Sequence, residues 1–384
     1  MDIQPFRIHV ADDVLEDLRK RLARTRWPDE IPGSGWDYGS NLAYIKELVE
    51  YWRDSFDWRA QERAINEFNQ YRTAVDGLGI HFIHERGKGP NPLPIIITHG
   101  WPGSFFEMLK IIPMLTDPAS HGGDPADSFD VVVPSMPGYG FSDPPKERGM
   151  ASWRISDLWA KLMTEGLGYE RFAAQGGDWG AGVTTRLGYA YPQNVVGFHV
   201  TMLGGAAPVP GSGEPELTEA EKVFLQERDH WWQAEQGYMH IQRTKPQTLG
   251  YGLNDSPAGL AAWIVEKWRT WSDCNGDVES VYTKDELLTN VTIYWVTQSI
   301  NSADRLYYET HHNPWVPARG ERNQVPCAFA AFPKEISRPP REWAERSYDI
   351  ARWTVMPKGG HFAAMEVPDL LAEDLRAFFR PYRG

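Results

Sequence analysis

Short apolar runs alternate with helical patterns along this chain. Three such runs, Leu93–Thr98, Phe129–Pro134 and residues 172–175, are each followed by a glycine-containing loop. A continuous apolar run of this length is typical of a strand that is buried on both faces by covering helices. The alternation therefore predicts an α/β fold with a mostly parallel central sheet and helices on both sides.

The strand patterns are interrupted once, by a long helical stretch rich in tryptophan between residues 204 and 317. Insertions of this kind usually cover the carboxyl edge of the sheet, where open α/β sheets bind ligands. We therefore predict a core of residues 91–203 and 318–384 and a helical lid of residues 204–317. Residues 1–75 show mostly helical patterns. The remaining strand patterns lie at 80–85, 195–202, 327–332 and 353–356.

Charge and composition exclude several classes of partner. The 39 basic and 52 acidic residues give a net charge of −13, which disfavours binding to nucleic acid or to an anionic membrane, since both are polyanions. The sequence shows no signal peptide and no apolar run near the roughly 18 residues of a membrane span. We expect a soluble, cytoplasmic protein. Cys274 and Cys327 are expected to be free thiols, with one disulfide as the alternative.

The sequence Gly-Gly-Asp-Trp-Gly at residues 176–180 follows the third apolar run. It has the pattern of a nucleophile elbow, the tight strand-to-helix turn of α/β-hydrolases, and the helix is expected to begin near Ala181. Aspartate replaces the usual serine, and no Gly-x-Ser-x-Gly sequence occurs in the chain. Asp178 is therefore the candidate nucleophile. The alternative is a glycine-rich loop in which Asp178 only caps a helix.

A second motif, His-Gly-Trp-Pro at residues 99–102, ends the first apolar run. In α/β-hydrolases, the loop at this place and the residue after the nucleophile donate the two oxyanion-hole amides. These amides would belong to Trp101 and Trp179. We expect His99 to be structural, because it stands before the loop.

A third motif, Gly-Gly-His-Phe at residues 359–362, follows the last predicted strand and supplies His361 as the candidate base. The chain order nucleophile, acid, histidine then requires a carboxylate between Asp178 and His361. Glu335 fits best, because it comes directly after the strand pattern at 327–332. Asp349 and Glu309 are the alternatives.

These motifs resemble those of the microsomal-type epoxide hydrolases, and the resemblance covers essentially the whole chain. It includes Gly-Tyr-Met-His at 237–240 and Gly-Gly-His-Phe-Ala-Ala at 359–364. It implies an N-terminal meander of residues 1–90 wrapped around an α/β-hydrolase core. It also implies hydrolysis of epoxides to diols. The chain starts without the membrane anchor of mammalian members and so resembles soluble bacterial and fungal ones. Some actinomycete relatives act in antibiotic biosynthesis, and the resemblance makes such a role a candidate for this chain.

The resemblance also implies that two lid tyrosines bind the epoxide oxygen. By motif they correspond to Tyr238 and Tyr307. Tyr308 is adjacent to Tyr307 and is the alternative for the second position.

The residue types suit epoxide opening. A carboxylate is ionised at neutral pH and attacks an sp³ carbon without a base, whereas the departing alkoxide needs a proton donor such as a phenol. His361, oriented by Glu335, would then activate water to hydrolyse the ester on Asp178. No metal or organic cofactor is expected. The 17 tryptophans suggest a bulky or aromatic epoxide as the small-molecule substrate.

Two rival functions use the same fold. A haloalkane dehalogenase also has an aspartate nucleophile, but its halide leaving group needs N–H donors, for which Trp101 and Trp179 would serve. A hydrolase fold that binds ligands without catalysis is the second rival, since a fold does not fix function. The sequence leaves the oligomeric state open, and a homodimer is one alternative.

Overall fold

A nine-stranded sheet organises the computed structural model, which describes residues 1–204, 216–318 and 320–383. The order of strands across the sheet is β1-β2-β3-β5-β4-β6-β7-β8-β9. The strands are β1 Gln4–Phe6, β2 Gln70–Val75, β3 Leu78–Glu85, β4 Leu93–Thr98, β5 Phe129–Pro134, β6 Phe172–Gly176, β7 Val195–Val200, β8 Asn323–Ala331 and β9 Tyr348–Val355.

The sheet is antiparallel at one edge and parallel elsewhere. Strands β1, β2, β3 and β5 pair antiparallel, and the pairs from β5 through β4 to β9 are parallel. The chain adds β5 on one side of β4 and then returns to add β6 on the other side. Loops leaving β4 and β6 therefore diverge at their carboxyl ends, which creates the crevice where such sheets bind ligands.

Fifteen α-helices are present in the described residues. They are α1 Asp12–Ala23, α2 Leu42–Asp54, α3 Trp58–Ile65, α4 Ile111–Thr116, α5 Ser152–Lys161, α6 Asp178–Ala190, α7 Glu219–Glu235, α8 Gly237–Thr244, α9 Pro246–Leu253, α10 Pro257–Trp271, α11 Lys284–Val296, α12 Ile300–His312, α13 Arg341–Glu345, α14 Ala363–Glu366 and α15 Pro368–Phe379. A 3₁₀ helix at Phe105–Met108 borders the site described below.

The predicted α/β architecture is confirmed. Every residue of β5, β6 and β7 is buried, as expected of strands covered by helices on both faces. The three apolar runs that predicted strands are β4, β5 and β6, with bounds that agree within one residue.

Two elements differ from the prediction. The N-terminal 75 residues contain helices α1 to α3 but also strands β1 and β2, which lie at the antiparallel edge of the sheet. Strand β2 is only partly buried, so its sequence lacks the continuous apolar run that identified the central strands. Helix α6 begins at Asp178 and not near Ala181, because the elbow itself forms the first helical turn.

The lid region is helical as predicted. Helices α7 to α12 occupy it, and the part of 204–317 that the structure describes contains no strand. Residues 205–215 lie outside the described residues. Helix α11 is buried at nine consecutive positions, Leu287 to Trp295. The boundaries at residues 90, 203 and 317 stay predictions.

Two further expectations concern the cysteines and membrane-spanning helices. Both cysteines are buried free thiols, as predicted. Within the described ranges, no helix has the length and apolar character that crossing a membrane requires.

A buried carboxylate joins the last helix to the parallel strands. Asp374 on α15 accepts hydrogen bonds from His199 Nε2 at 3.0 Å, Arg352 Nε at 2.7 Å and Thr354 Oγ1 at 2.7 Å. Burial opposes ionisation of Asp374, but the contacts with His199, Thr354 and Arg352 outweigh it and lower its pKa to about 2. Helix α15 is thus fixed to β7 and β9.

Replacing this carboxylate should destabilise the fold. We expect Asp374→Ala to lower the free energy of unfolding by about 3 kcal/mol at pH 7, because it leaves buried polar partners unpaired. Folding lowers the pKa of Asp374 from about 3.9, so its contribution is present above pH 4 and is lost as the pH falls towards 2. Urea unfolding at pH 7 and pH 3 measures both effects.

The control is Asp369→Ala, which removes an exposed carboxylate from the first turn of the same helix. Its cost should stay below about 1 kcal/mol. Equal losses for the two variants, or a loss at Asp374 that does not shrink at pH 3, would contradict the assigned role.

Candidate active site

Asp178 sits in a strained turn between β6 and α6. Its φ is +48°, a left-handed conformation that costs a non-glycine residue about 1–3 kcal/mol. The turn is possible because its neighbours lack side chains. A Cβ on Gly176 would lie 2.2 Å from the Gly180 carbonyl oxygen, and one on Gly180 would lie 2.0 Å from the Thr98 carbonyl oxygen. The glycines of the elbow motif are therefore required by close backbone contacts.

The loop after β4 reaches the same point. The backbone N–H of Trp101 donates a hydrogen bond to Asp178 Oδ1 at 2.9 Å, and a Cβ on Gly100 would lie 2.3 Å from the Asp178 Cβ. Trp179 is the second residue of α6, so its amide is among the unpaired N–H groups of the first helical turn. One predicted oxyanion donor thus already contacts the carboxylate, and the role of the other stays a prediction.

Helix α11 of the lid holds this loop in place. Asn290 Nδ2 donates to the Pro102 carbonyl at 2.8 Å, and the Tyr294 hydroxyl donates to the Gly103 carbonyl at 2.7 Å. Ser104 Oγ donates to Asn290 Oδ1 at 2.8 Å. Backbone carbonyls that would otherwise be buried without partners are satisfied by a side chain and a phenol from another element.

His361 lies between two carboxylates. Its Nε2 is 3.6 Å from Asp178 Oδ2, and its Nδ1 is 2.6 Å from Glu335 Oε1. The His361 backbone N–H donates to the Trp271 carbonyl at 2.9 Å. A bridge between Lys334 and Gly360 brings the loops after β8 and β9 together. The structure therefore joins the three predicted members of the triad.

The two alternative acids lie elsewhere. Asp349 is exposed on β9, and its Oδ1 is 4.0 Å from Arg322. Glu309 accepts a hydrogen bond from the Gly149 amide at 2.8 Å. His99 is buried and its Nε2 accepts from the Met136 amide at 3.1 Å, which agrees with a structural role.

The charges around His361 determine its protonation. Burial lowers the pKa of His361, but the charge of Glu335 and the hydrogen bonds and charge of Asp178 outweigh burial and raise it well above its usual value. The imidazolium form is thus favoured while Asp178 carries its negative charge. Neutralising Asp178 therefore removes part of the upward shift in the pKa of His361.

Tyr238 on α8 and Tyr307 on α12 line one cavity together with Asp178. Their ring centroids are 5.9 Å apart, and the Tyr238 ring stacks on Trp101 at 5.0 Å. The Tyr307 ring contacts Trp179 edge-on at 4.7 Å. The Tyr308 ring instead stacks on His312 at 3.9 Å. The structure therefore brings Tyr307, and not Tyr308, to the site.

Both phenols stay protonated at neutral pH. Burial and then the charge of Asp178 raise the pKa of Tyr238 well above its usual value, although a hydrogen bond with Tyr307 lowers it. Burial, followed by the charges of Tyr238 and Asp178, also raises the pKa of Tyr307 well above its usual value. Two proton donors therefore line the same cavity as Asp178.

Two separate cavities border Asp178. The larger has a volume of about 1320 Å³, and Trp179, Tyr238 and Tyr307 line it together with further aromatic side chains. The smaller has a volume of about 20 Å³, and His361 lines it. Tyr238 and Tyr307 therefore line a different cavity from His361.

Sequence reasoning missed several polar residues of the smaller cavity. Its lining includes Glu107, Gln175 and Thr201. All three are buried, but none belongs to a pattern that marks a polar site. Only the tertiary contacts identify them. In the part of the chain that the structure describes, no cluster of three or more His, Cys, Asp or Glu side chains could hold a metal ion.

Comparison with known proteins gives one consistent result. Residues 3–108 match the family described as epoxide hydrolase N terminus, and residues 94–244 match the alpha/beta hydrolase fold. A Stigmatella aurantiaca protein, whose name provisionally describes it as an epoxide hydrolase, is 45% identical over 100% of this chain and 86% of its own. Epoxide hydrolase 1 of Oryctolagus cuniculus is 40% identical over 98% of this chain and 88% of its own.

Solved structures agree. The crystal structure of juvenile hormone epoxide hydrolase from Bombyx mori has a TM-score of 0.89 at 31% identity and covers 100% of this chain and 95% of its own. Aspergillus niger epoxide hydrolase has a TM-score of 0.86 at 30% identity, with 100% and 97% covered. The site has an aspartate at the elbow and a histidine–glutamate pair, and the similarity to epoxide hydrolases covers the full length of the chain. The chain therefore belongs to the epoxide hydrolase family of α/β-hydrolases.

Proposed function

We propose that this enzyme hydrolyses epoxides to vicinal diols through a covalent ester on Asp178. The observation that carries the proposal is the position of one carboxylate between two phenols and a histidine. Tyr238 and Tyr307 line one cavity beside Asp178, whereas His361 lines the other. Relatives named as epoxide hydrolases support the reaction class.

In the first half-reaction, a carboxylate oxygen of Asp178 attacks an epoxide carbon and the ring C–O bond breaks. The leaving oxygen becomes an alkoxide and takes a proton from Tyr238 or Tyr307, which leaves a tyrosinate. Such proton donation typically contributes 10²- to 10⁴-fold to rate. No base is needed, because the nucleophile is already ionised.

In the second half-reaction, water attacks the ester carbonyl carbon and gives a proton to His361. The Trp101 amide stabilises the oxyanion that forms, a contribution of roughly 3–4 kcal/mol for a donor of this kind. The acyl–oxygen bond then breaks. The two water protons end on the departing alkoxide and on the tyrosinate, and the water oxygen stays in the regenerated Asp178 carboxylate.

Esterification itself prepares His361 for this step. The Asp178 charge helps to raise the pKa of His361, and the ester is neutral. The histidine therefore becomes a better proton acceptor only after the first half-reaction has occurred. Glu335 keeps Nδ1 protonated and Nε2 directed at the site.

The larger cavity supports a bulky epoxide as substrate. Its volume of about 1320 Å³ exceeds the range of roughly 300–1000 Å³ typical of small-molecule pockets. Trp153, Trp231 and Trp315 are among its lining residues, which favours an aromatic or extended apolar substrate. A role in antibiotic biosynthesis, a cytoplasmic location and a homodimer stay predictions.

The covalent ester can be trapped. We expect His361→Ala to form the ester with styrene oxide but not to hydrolyse it, since alkylation needs no histidine. Intact-protein mass spectrometry should show an added mass of one epoxide, and peptide mapping should place it on Asp178.

The matched control is the double variant Asp178→Asn, His361→Ala, which should show no adduct. An adduct on another residue, or diol production by His361→Ala at the wild-type rate, would rule out this mechanism.

Loss of the phenols should affect the first half-reaction. We expect Tyr238→Phe and Tyr307→Phe each to slow ester formation by about 10-fold or more, and the double variant to reduce it by at least about 100-fold. Tyr308→Phe is the control and should stay within about 2-fold of wild type, because its ring stacks on His312. Rapid-quench measurement of the ester gives these rates. Wild-type rates in the double variant would exclude the tyrosines as proton donors.

One observation favours haloalkane dehalogenation as a second candidate. Trp179 lines the larger cavity, and its indole Nε1 is buried with no hydrogen-bond partner among the described residues. A halide leaving group is stabilised by such a donor. The two phenols and the family favour the epoxide.

Incubation with 1-bromobutane separates the candidates. We expect no bromide release above background, measured by ion chromatography, while styrene oxide is converted to diol. Bromide release without diol formation would establish the dehalogenase. Binding of styrene oxide without either product would indicate a non-catalytic protein.

A further inference from the structure

The smaller cavity beside Asp178 has the size and lining of a site for one water molecule. A cavity must offer roughly 10–15 Å³ to hold a water, and this one has about 20 Å³. Its polar lining includes Asp178, His361, Glu107, Gln175 and Thr201. A buried water usually makes two to four hydrogen bonds, and these side chains can supply that number.

Two of the lining side chains have buried oxygens that need a partner. Among the described residues, neither Glu107 Oε1 nor Gln175 Oε1 has a hydrogen-bond partner. A buried polar atom without a partner costs about 1–3 kcal/mol. Because both residues line one small cavity, the two oxygens indicate a shared ligand that can donate hydrogens.

We infer that this cavity binds the hydrolytic water, and that Glu107 and Gln175 hold it between His361 and the Asp178 ester. The inference rests on the proposed two-step reaction and adds the residues that position its second reactant. While His361 is an imidazolium, the water accepts a hydrogen bond from its Nε2 and donates one hydrogen to Glu107 and one to Gln175. Once the ester has formed and His361 is neutral, the water donates one hydrogen to Nε2 and the other to Glu107 or Gln175. A lone pair is then free to attack the ester carbonyl carbon. During attack, the O–H bond to His361 breaks and the new C–O bond forms.

The backbone beside Glu107 leaves room for its carboxyl group at Gly103. Glu107 lies in the 3₁₀ helix that follows the oxyanion loop, and Ser104 begins that helix with its side chain accepting from the Phe106 amide. A Cβ on Gly103 would lie only 1.3 Å from Glu107 Oε1. Any larger residue at position 103 would displace the carboxyl group.

The protonation of Glu107 fits this role. Burial raises the pKa of Glu107 to about 8, and the charge of Asp178 acts in the same direction, while His361 opposes it. The side chain is therefore mostly a neutral acid at pH 7, whose carbonyl oxygen accepts a hydrogen bond. A neutral acceptor orients water without placing another negative charge beside His361.

The test separates the two half-reactions. Rapid-quench mass spectrometry with styrene oxide, or another epoxide that the wild-type enzyme converts, measures formation and decay of the Asp178 ester in one experiment. We expect Glu107→Leu to form the ester within about 2-fold of the wild-type rate and to hydrolyse it at least about 10-fold more slowly. Ester should consequently accumulate during turnover.

Two further variants make the result specific. Glu107→Gln keeps a neutral carbonyl oxygen at the same place and should restore ester hydrolysis to within about 3-fold of wild type. Gln175→Leu, which removes the other acceptor from strand β6, should slow only hydrolysis, as Glu107→Leu does. Complete ester formation shows that each variant is folded, and Gln175→Leu tests the site if Glu107→Leu does not fold.

Glu309→Gln serves as the remote control and should change neither rate, since Glu309 contacts the Gly149 amide away from both cavities. Unchanged ester hydrolysis in Glu107→Leu and Gln175→Leu would overturn the inference, as would equal slowing of both steps. Failure of His361→Ala to form any ester would instead refute the proposed function itself. The two failures are therefore distinguishable.

Discussion

The close approach of two backbone segments at Asp178 is the constraint on which the site depends. Strands β4 and β6 are parallel neighbours in the sheet, so the loops that leave them begin side by side at the same edge. Gly180 fits against the Thr98 carbonyl, and Gly100 fits against the Asp178 side chain, with no room for a Cβ at either place. The surrounding sheet and loops hold Asp178 in its left-handed backbone conformation.

Under the proposed mechanism, the arrangement around Asp178 separates two incompatible proton requirements. Ring opening needs acids, whereas ester hydrolysis needs a base, and a single group cannot be optimal for both at one pH. Here the phenols border the larger cavity and His361 borders the smaller one. The charge of Asp178 links them, because it raises the pKa of His361 and of both tyrosines. In our proposal, its neutralisation by esterification changes all three groups in one event.

Much of the fold and of the triad could be predicted, because the signals were local in sequence. Apolar runs marked β4, β5 and β6, and three glycine-containing motifs marked Asp178, His361 and the oxyanion loop. The half-exposed strand β2 gave no such run. Tyr307 could have been separated from Tyr308 by helical spacing, because it shares a buried face with Ile300 and Ala303. Glu107 could not be predicted, since only tertiary packing buries its carboxyl group.

The contacts of helix α11 have a consequence for evolution and engineering. Although α11 belongs to the helical segment between β7 and β8, Asn290 and Tyr294 donate hydrogen bonds to the carbonyls of Pro102 and Gly103 in the loop that contacts Asp178. The insertion is therefore not an interchangeable module. A chimaera that imports a foreign pocket should retain α11 from the host and exchange only the helices that carry no such support. Over evolutionary time, the contacts of α11 with the loop after β4 would confine changes in substrate specificity to the other helices between β7 and β8.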